Sequence, residues 1–188
     1  MKRVLIGGIG NVLLGDDGVG PYLVRLLEAA YSFQYQVDIV DLGTPALDLV
    51  YKIVDLDVLI LVDAVRNDDP HGTIRLYDKG DLLWHAPPTR MDPHSPALTE
   101  SLLAADMLGR SPSTVMLVAV TGRRYETGCD LSEPVLSSVP RAIQAILNAL
   151  DRAGIAYTRR RAVPDIWWTS GVTPASLLPE PDITAPAR

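Results

Sequence analysis

One cysteine in 188 residues rules out an internal disulfide and any Cys-rich metal cluster. That residue, Cys129, has no His or Asn near it in sequence and reads as loop filler, not as a nucleophile. Positive charge is not in excess either: 17 Lys and Arg against 23 Asp and Glu give a net charge of −6. With no basic run in the body of the chain, there is no electrostatic footprint for nucleic acid. No apolar run approaches the ~18 residues needed to span a bilayer. The one behind Lys2-Arg3 is about five residues, too short for a signal peptide. Aromatics make up only 6%, and His occurs three times. The expectation is a cytoplasmic monomer with no nucleic acid and no membrane among its partners.

What is present is an apolar content of 47%, arranged in alternating strand and helix patterns. A chain of this length is most simply one domain, burying about 68–72% of its unfolded surface. Val4 to Gly8 reads as a buried strand, a continuous apolar run bounded by glycines. Apolar residues at 19, 23, 26, 27 and 30 have helical spacing, with Asp16 or Asp17 as N-cap. Val37 to Leu42 is a second strand, and Thr44-Pro45 starts a helix with Ala46, Leu49, Val50 and Ile53 on its apolar face. Residues 56–65, LDVLILVDAV, give the strongest strand and carry Asp63 near its end. Thr73 to Tyr77 is a shorter strand, followed by a long loop over 78–96 that carries Trp84, His85 and His94. A helix from Ser95, a strand at Val115 to Val120, a polar loop over 121–132 and a helical region to Arg152 follow. Pro140 within that region predicts a kink or restart, since proline costs a helix interior ~3 kcal/mol. The domain is expected over 1–158. The Pro-rich segment 159–188 reads as an extended or disordered tail whose Trp167-Trp168 either docks or stays free. The fold class is α/β: a three-layer αβα sandwich around a mostly parallel twisted sheet.

In such sheets functional groups gather at the carboxyl ends of the strands. Gly7 to Gly10 follow the first strand, Asp41 closes the second and Asp63 the third. Gly8-Ile9-Gly10 has the start of a dinucleotide-binding turn. Leu13, however, stands where the third glycine belongs, and Asp41 lies too far downstream. Asp16 and Asp17 at a helix start complement its dipole, worth ~0.3–1 kcal/mol, but one acid suffices as a cap. Asp63 is harder to account for structurally, because an unpaired carboxylate at the end of a buried run is expensive. A lone histidine such as His94 is more often a surface residue than a ligand, and His71 and His85 have no matching partner. Two carboxylates and an imidazole meeting at one sheet edge would form an incomplete site for nickel, manganese or zinc.

Six pieces in order make the pattern specific: GIGNVLLGDDGVG (8–20), DLGT (41–44), VLILVDAV (58–65), Pro-His at 93–94 ahead of an amphipathic helix, LVAV (117–120), and the G-x-x-LS of 128–132. Together they resemble the hydrogenase maturation proteases, endopeptidases that trim the C-terminus of a nickel–iron hydrogenase large-subunit precursor. The resemblance covers roughly residues 3 to 154. It implies a phosphorylase/hydrolase-like αβα sandwich around about five strands. It also implies that Asp17, Asp63 and His94 are the metal-contacting and catalytic residues. Asp41, with Gly43 and Thr44, falls on positions for substrate recognition, and Asp16 is a helper or a helix cap. The implied partner is the hydrogenase large-subunit precursor. The implied metal is nickel supplied by that substrate, with cadmium, zinc or another divalent ion as substitutes and no organic cofactor. Such enzymes are classed as aspartic or as metal-dependent peptidases. Where many relatives carry a proline and an acid after the LVAV strand, this chain has Thr121-Gly122-Arg123-Arg124, which alters the rim that grips the substrate. Two other readings stand beside this one: a non-catalytic chaperone that binds the precursor's metal site, and a nucleotide-binding α/β protein.

Overall fold

A computed structural model describes residues 2–33, 37–84, 95–163 and 174–180. Strands β1 (Val4–Ile9), β3 (Val37–Gly43), β4 (Val58–Val65) and β6 (Thr114–Thr121) run parallel, and β5 (Ile74–Asp78) is antiparallel to β6. Their order is β3-β1-β4-β6-β5, so the strongest apolar strand, β4, is central and buried along its whole length. Side chains alternate across a strand, which sorts its residues between two layers. Val58, Ile60, Val62 and Ala64 share a core with α1 (Val19–Ala30) and α5 (Glu133–Arg152). Leu59, Leu61 and Val65 share the other with α2 (Leu49–Ile53), α3 (Lys79–Trp84) and α4 (Ser95–Met107). By the same alternation Asp63 belongs to the second face.

Helix α4 runs against the parallel strands. After it, the Arg110 carbonyl accepts from the Asp55 amide, and the Thr114 amide donates to the Asp57 carbonyl, both at the entry to β4. Its 13 residues rise ~1.5 Å each, so the helix is about 20 Å long, with the chain beyond its C-terminal end at the amino edge of the sheet.

Several expectations need correction. The stretch behind Thr44 is helical only from Leu49 to Ile53. Asp48 is its N-cap residue, and the Asp48 carboxylate accepts from the Ala46 amide at 3.1 Å. Part of the long loop over 78–96 is helix α3, tied down by the Asp81 amide donating to the Asp78 carboxylate at 2.9 Å. Helix α5 runs through Pro140 without a restart, because buried residues on both sides of the proline, from Val135 to Leu150, hold it to the core. Neither acid caps α1: a 3-10 turn, Gly15–Gly18, leads into that helix and Gly18 takes the cap position.

The tail expectation is also corrected for the residues described. The 158/159 boundary falls inside β7 (Tyr157–Arg159), which pairs antiparallel with β2 (Tyr31–Phe33). Tyr31 and Tyr157 meet edge to face at 5.8 Å. Farther on, Leu177 and Leu178 are buried in the α1–α5 core, and Arg159 donates to the Pro179 carbonyl at 2.8 Å. Trp167 and Trp168 lie outside the described residues. Among the described residues, no helix is long and apolar enough to cross a membrane.

Candidate active site

The site starts from a close backbone contact. A Cβ on Gly20 would stand 2.2 Å from the Ile9 carbonyl oxygen and 2.6 Å from that of Val62, so only glycine lets α1 lie this close to β1 and β4. Gly10, at φ +130°, faces the Asp17 carbonyl, which would be 1.8 Å from a Cβ there. These approaches lay the 3-10 turn, and with it Asp17, over the end of β4 that carries Asp63. The two acids are 2% and 6% exposed. Asp17 Oδ2 accepts the Asn11 amide at 2.7 Å.

Tyr125 adjoins this pair. Its hydroxyl donates to the Val65 carbonyl at 2.9 Å, and the Arg66 guanidinium lies 4.0 Å from its ring centroid. Burial pushes the phenol well above its ordinary value of 10.0; Arg66 pulls it down, and the charges of Asp16, Asp17 and Asp63 push it up. Three carboxylates from two distant parts of the chain thus act on one phenol. Neither Tyr125 nor Arg66 stood out in the sequence. Both sit in polar loops, and no local spacing announces a stacking pair made across them.

Asp16 faces away from its own helix. Fully buried, it accepts the Arg123 and Arg124 amides at 2.7 and 2.8 Å, and both the amide and the hydroxyl of Ser132 at 2.6 and 2.8 Å. The helix-cap reading of Asp16 is therefore overturned, because its carboxylate is used up by a loop more than a hundred residues away.

Asp41, Gly43 and Thr44 stand on the same edge. The Gly10 amide donates to the Gly43 carbonyl at 2.8 Å, which ties the end of β3 to the glycine turn. Asp41 and Thr44 are exposed, and Asp41 accepts the Gly43 amide at 2.9 Å. His71 is placed apart from Asp17 and Asp63 in role: its Nδ1 lies 3.0 Å from the Gly122 carbonyl oxygen. His85 and His94 lie outside the described residues. Among those that are described, no group of three or more His, Cys, Asp or Glu is placed to hold a metal ion. The turn carrying Asp17 thus lies over the end of β4 that carries Asp63, with Asp41 at the same edge; His94 precedes α4 in sequence.

Comparison with known proteins points one way. A family model described as hydrogenase maturation protease matches residues 21–149, beginning just past the acid pair. The hydrogenase expression/formation protein HupD of Rhizobium leguminosarum bv. viciae is 32% identical over 168 residues, covering 87% of this chain and 83% of that protein. The hydrogenase 2 maturation protease of Escherichia coli (strain K12) is 29% identical over 165 residues, covering 87% of this chain and 99% of its own. Among solved structures, the hydrogenase maturating endopeptidase HybD from E. coli superposes with a TM-score of 0.79 at 28% identity, covering 84% of this chain and 98% of that one. The five-stranded αβα sandwich is the fold of these endopeptidases, and the chain belongs to the hydrogenase maturation protease family.

Proposed function

We propose that this chain is the endopeptidase that removes a C-terminal extension from the nickel-loaded large-subunit precursor of a nickel–iron hydrogenase. One observation carries the reading: Asp17 and Asp63, nearly without solvent exposure, are delivered from separate elements to one edge of the sheet. Holding two carboxylates there costs several kcal/mol each unless a cation or a set of donors compensates. A core has no use for such a pair, and a site that grips a cationic substrate group does.

Carboxylate oxygens with an imidazole nitrogen suit a divalent transition ion. His94 directly precedes α4 in sequence, and α4 packs through Leu98, Leu102 and Ala105 on the face of the sheet to which the alternation along β4 assigns Asp63. In this reading the nickel belongs to the substrate; cadmium, zinc or another divalent ion would fit the same donors, and no organic cofactor is required. Asp17, Asp63 and His94 grip the metal-bearing end of the precursor, and that grip fixes which peptide bond lies against them. Asp41, Gly43 and Thr44 line the rim and contact the segment being cut. Water adds to the carbonyl carbon, the C–N bond breaks, and the leaving nitrogen takes a proton. If a carboxylate of Asp17 or Asp63 takes the water's proton, the enzyme is of the aspartic class. If polarisation of the carbonyl by the substrate's metal dominates, it is of the metal-dependent class.

The test is mass spectrometry of a hydrogenase large-subunit precursor incubated with the protein, with and without nickel. Loss of the C-terminal peptide only from nickel-loaded precursor supports the reading. Binding of the precursor with no change in mass would replace it with a non-catalytic chaperone.

A further inference from the structure

Asp16 is a fully buried carboxylate for which the proposed chemistry has no task. Its Oδ2 accepts three hydrogen bonds, from the Arg123 amide (2.7 Å), the Arg124 amide (2.8 Å) and the Ser132 hydroxyl (2.8 Å). Its Oδ1 accepts the Ser132 amide at 2.6 Å. The Asp16 amide returns a bond to the Arg124 carbonyl at 2.8 Å. Beside it, the Gly15 amide donates to the Gly128 carbonyl at 2.7 Å and the Gly128 amide to the Leu13 carbonyl at 2.9 Å. Residues 13–16 and 122–132 are thereby laced into one unit, although Asp16 and Arg123 are 107 positions apart.

An ionised carboxylate only accepts, and these donors take up the acceptor sites that matter while the group has no exposed surface for a water. The segment it holds carries the exposed Arg123 and Arg124 and the Tyr125 phenol, which adjoins Asp17 and Asp63. We infer that Asp16 is a positioning residue whose hydrogen bonds hold 122–132 as a fixed wall of the substrate site beside Asp17 and Asp63. The inference rests on the proposed endopeptidase reading. A wall released from Asp16 leaves three backbone amides without their acceptor and no longer meets the precursor in one position.

Asp16→Asn keeps the shape but turns an NH2 group toward donors. It is expected to raise KM for nickel-loaded precursor about tenfold, since hydrogen bonds to charged groups are the strong ones, with kcat held within about threefold. The shape of the pH profile stays unchanged. Ser132→Ala removes a single bond, keeps the fold, and raises KM by a smaller factor. In both variants the amides of Arg123, Arg124 and Ser132 exchange with deuterium faster, while those of β4 keep their protection. A fall in kcat at unchanged KM, with loss of the acidic limb of the pH profile, would make Asp16 a base and overturn the inference. Unchanged exchange at the three amides in both variants would overturn it too. If the wild-type protein cuts no precursor, the endopeptidase reading fails, and the exchange data still decide whether Asp16 holds the wall.

Discussion

The two ends of the parallel strands treat their acids in opposite ways. At the amino end, Asp55 pairs with Arg110 through two hydrogen bonds, and the Asp57 carboxylate accepts the Arg3 amide at 2.7 Å. Asp55 and Arg110 are exposed and Asp57 is half-buried, so these groups are cheap to keep charged. At the carboxyl end, Asp16, Asp17 and Asp63 are buried, and backbone amides do for Asp16 and Asp17 the work that arginine does for Asp55. Desolvating a carboxylate is expensive, so a fold selected for stability alone would resemble the amino end. The carboxyl end is where stability has been given up for a charged, rigid site.

The sharpest way to test that contrast is to neutralise the buried pair. Asp17→Asn and Asp63→Asn remove a charge with little change in shape, and each is expected to cut precursor processing on the order of 100-fold or more. Both variants are expected to keep the fold, because Asn fills the same space as Asp. Activity is read by mass spectrometry of the precursor and stability by circular dichroism. His94→Ala should act in the same direction on activity. Near wild-type processing by either Asn variant would sink the assignment of these acids.

Next in size is the contact that builds the edge. Gly20→Ala drives a Cβ into two backbone carbonyls, at 2.2 and 2.6 Å, with no flexible side chain available to yield. Overpacking of this kind costs ~1–3 kcal/mol or more. A urea titration should show that loss, and the activity of the remaining folded protein should drop because the turn bearing Asp17 has moved. A fully active and fully stable Gly20→Ala protein would mean that the close approach of α1 does not position the site.

The same contrast explains what could be read from sequence. β1, β4 and β6 were visible because a strand buried on both faces is a continuous apolar run, and Asp63 stood out as an acid where such a run ends. Residues 133–152 were visible because their apolar positions recur at helical spacing. The partners of Asp16 were not: all four of its donors lie 107 to 116 positions away, three of them are main-chain amides, and a backbone amide has no residue signature. Thr44-Pro45 has the chemistry of a helix start, yet Asp48 takes that place. The β2–β7 pair consists of three residues from each strand, too few to show a period. Its register, Tyr31 opposite Arg159, comes from tertiary placement. The antiparallel direction of β5 depends on its neighbour in the sheet, not on its own residues.

The smallest effect belongs to the amino end. The hydrogen bond from Arg110 holds the Asp55 carboxyl below its ordinary value of 3.8, with the Arg110 charge assisting and desolvation opposing. Because the folded value is depressed, the stabilisation is present above the unfolded value and is lost as pH falls through the folded one. Arg110→Ala should therefore lower the midpoint of thermal unfolding slightly at neutral pH, by ~2 °C or less for an exposed pair. The gap from wild type should close as pH falls through the depressed Asp55 value, and it should shrink in 1 M salt, which screens exposed charges beyond ~3 Å. Processing should not change, because Arg110 lies at the opposite edge from Asp17 and Asp63. A large loss of stability, or any loss of processing, in Arg110→Ala would break the contrast between the two edges: it would show that the exposed, arginine-matched acid is not cheap to lose, or that the amino edge acts on the site.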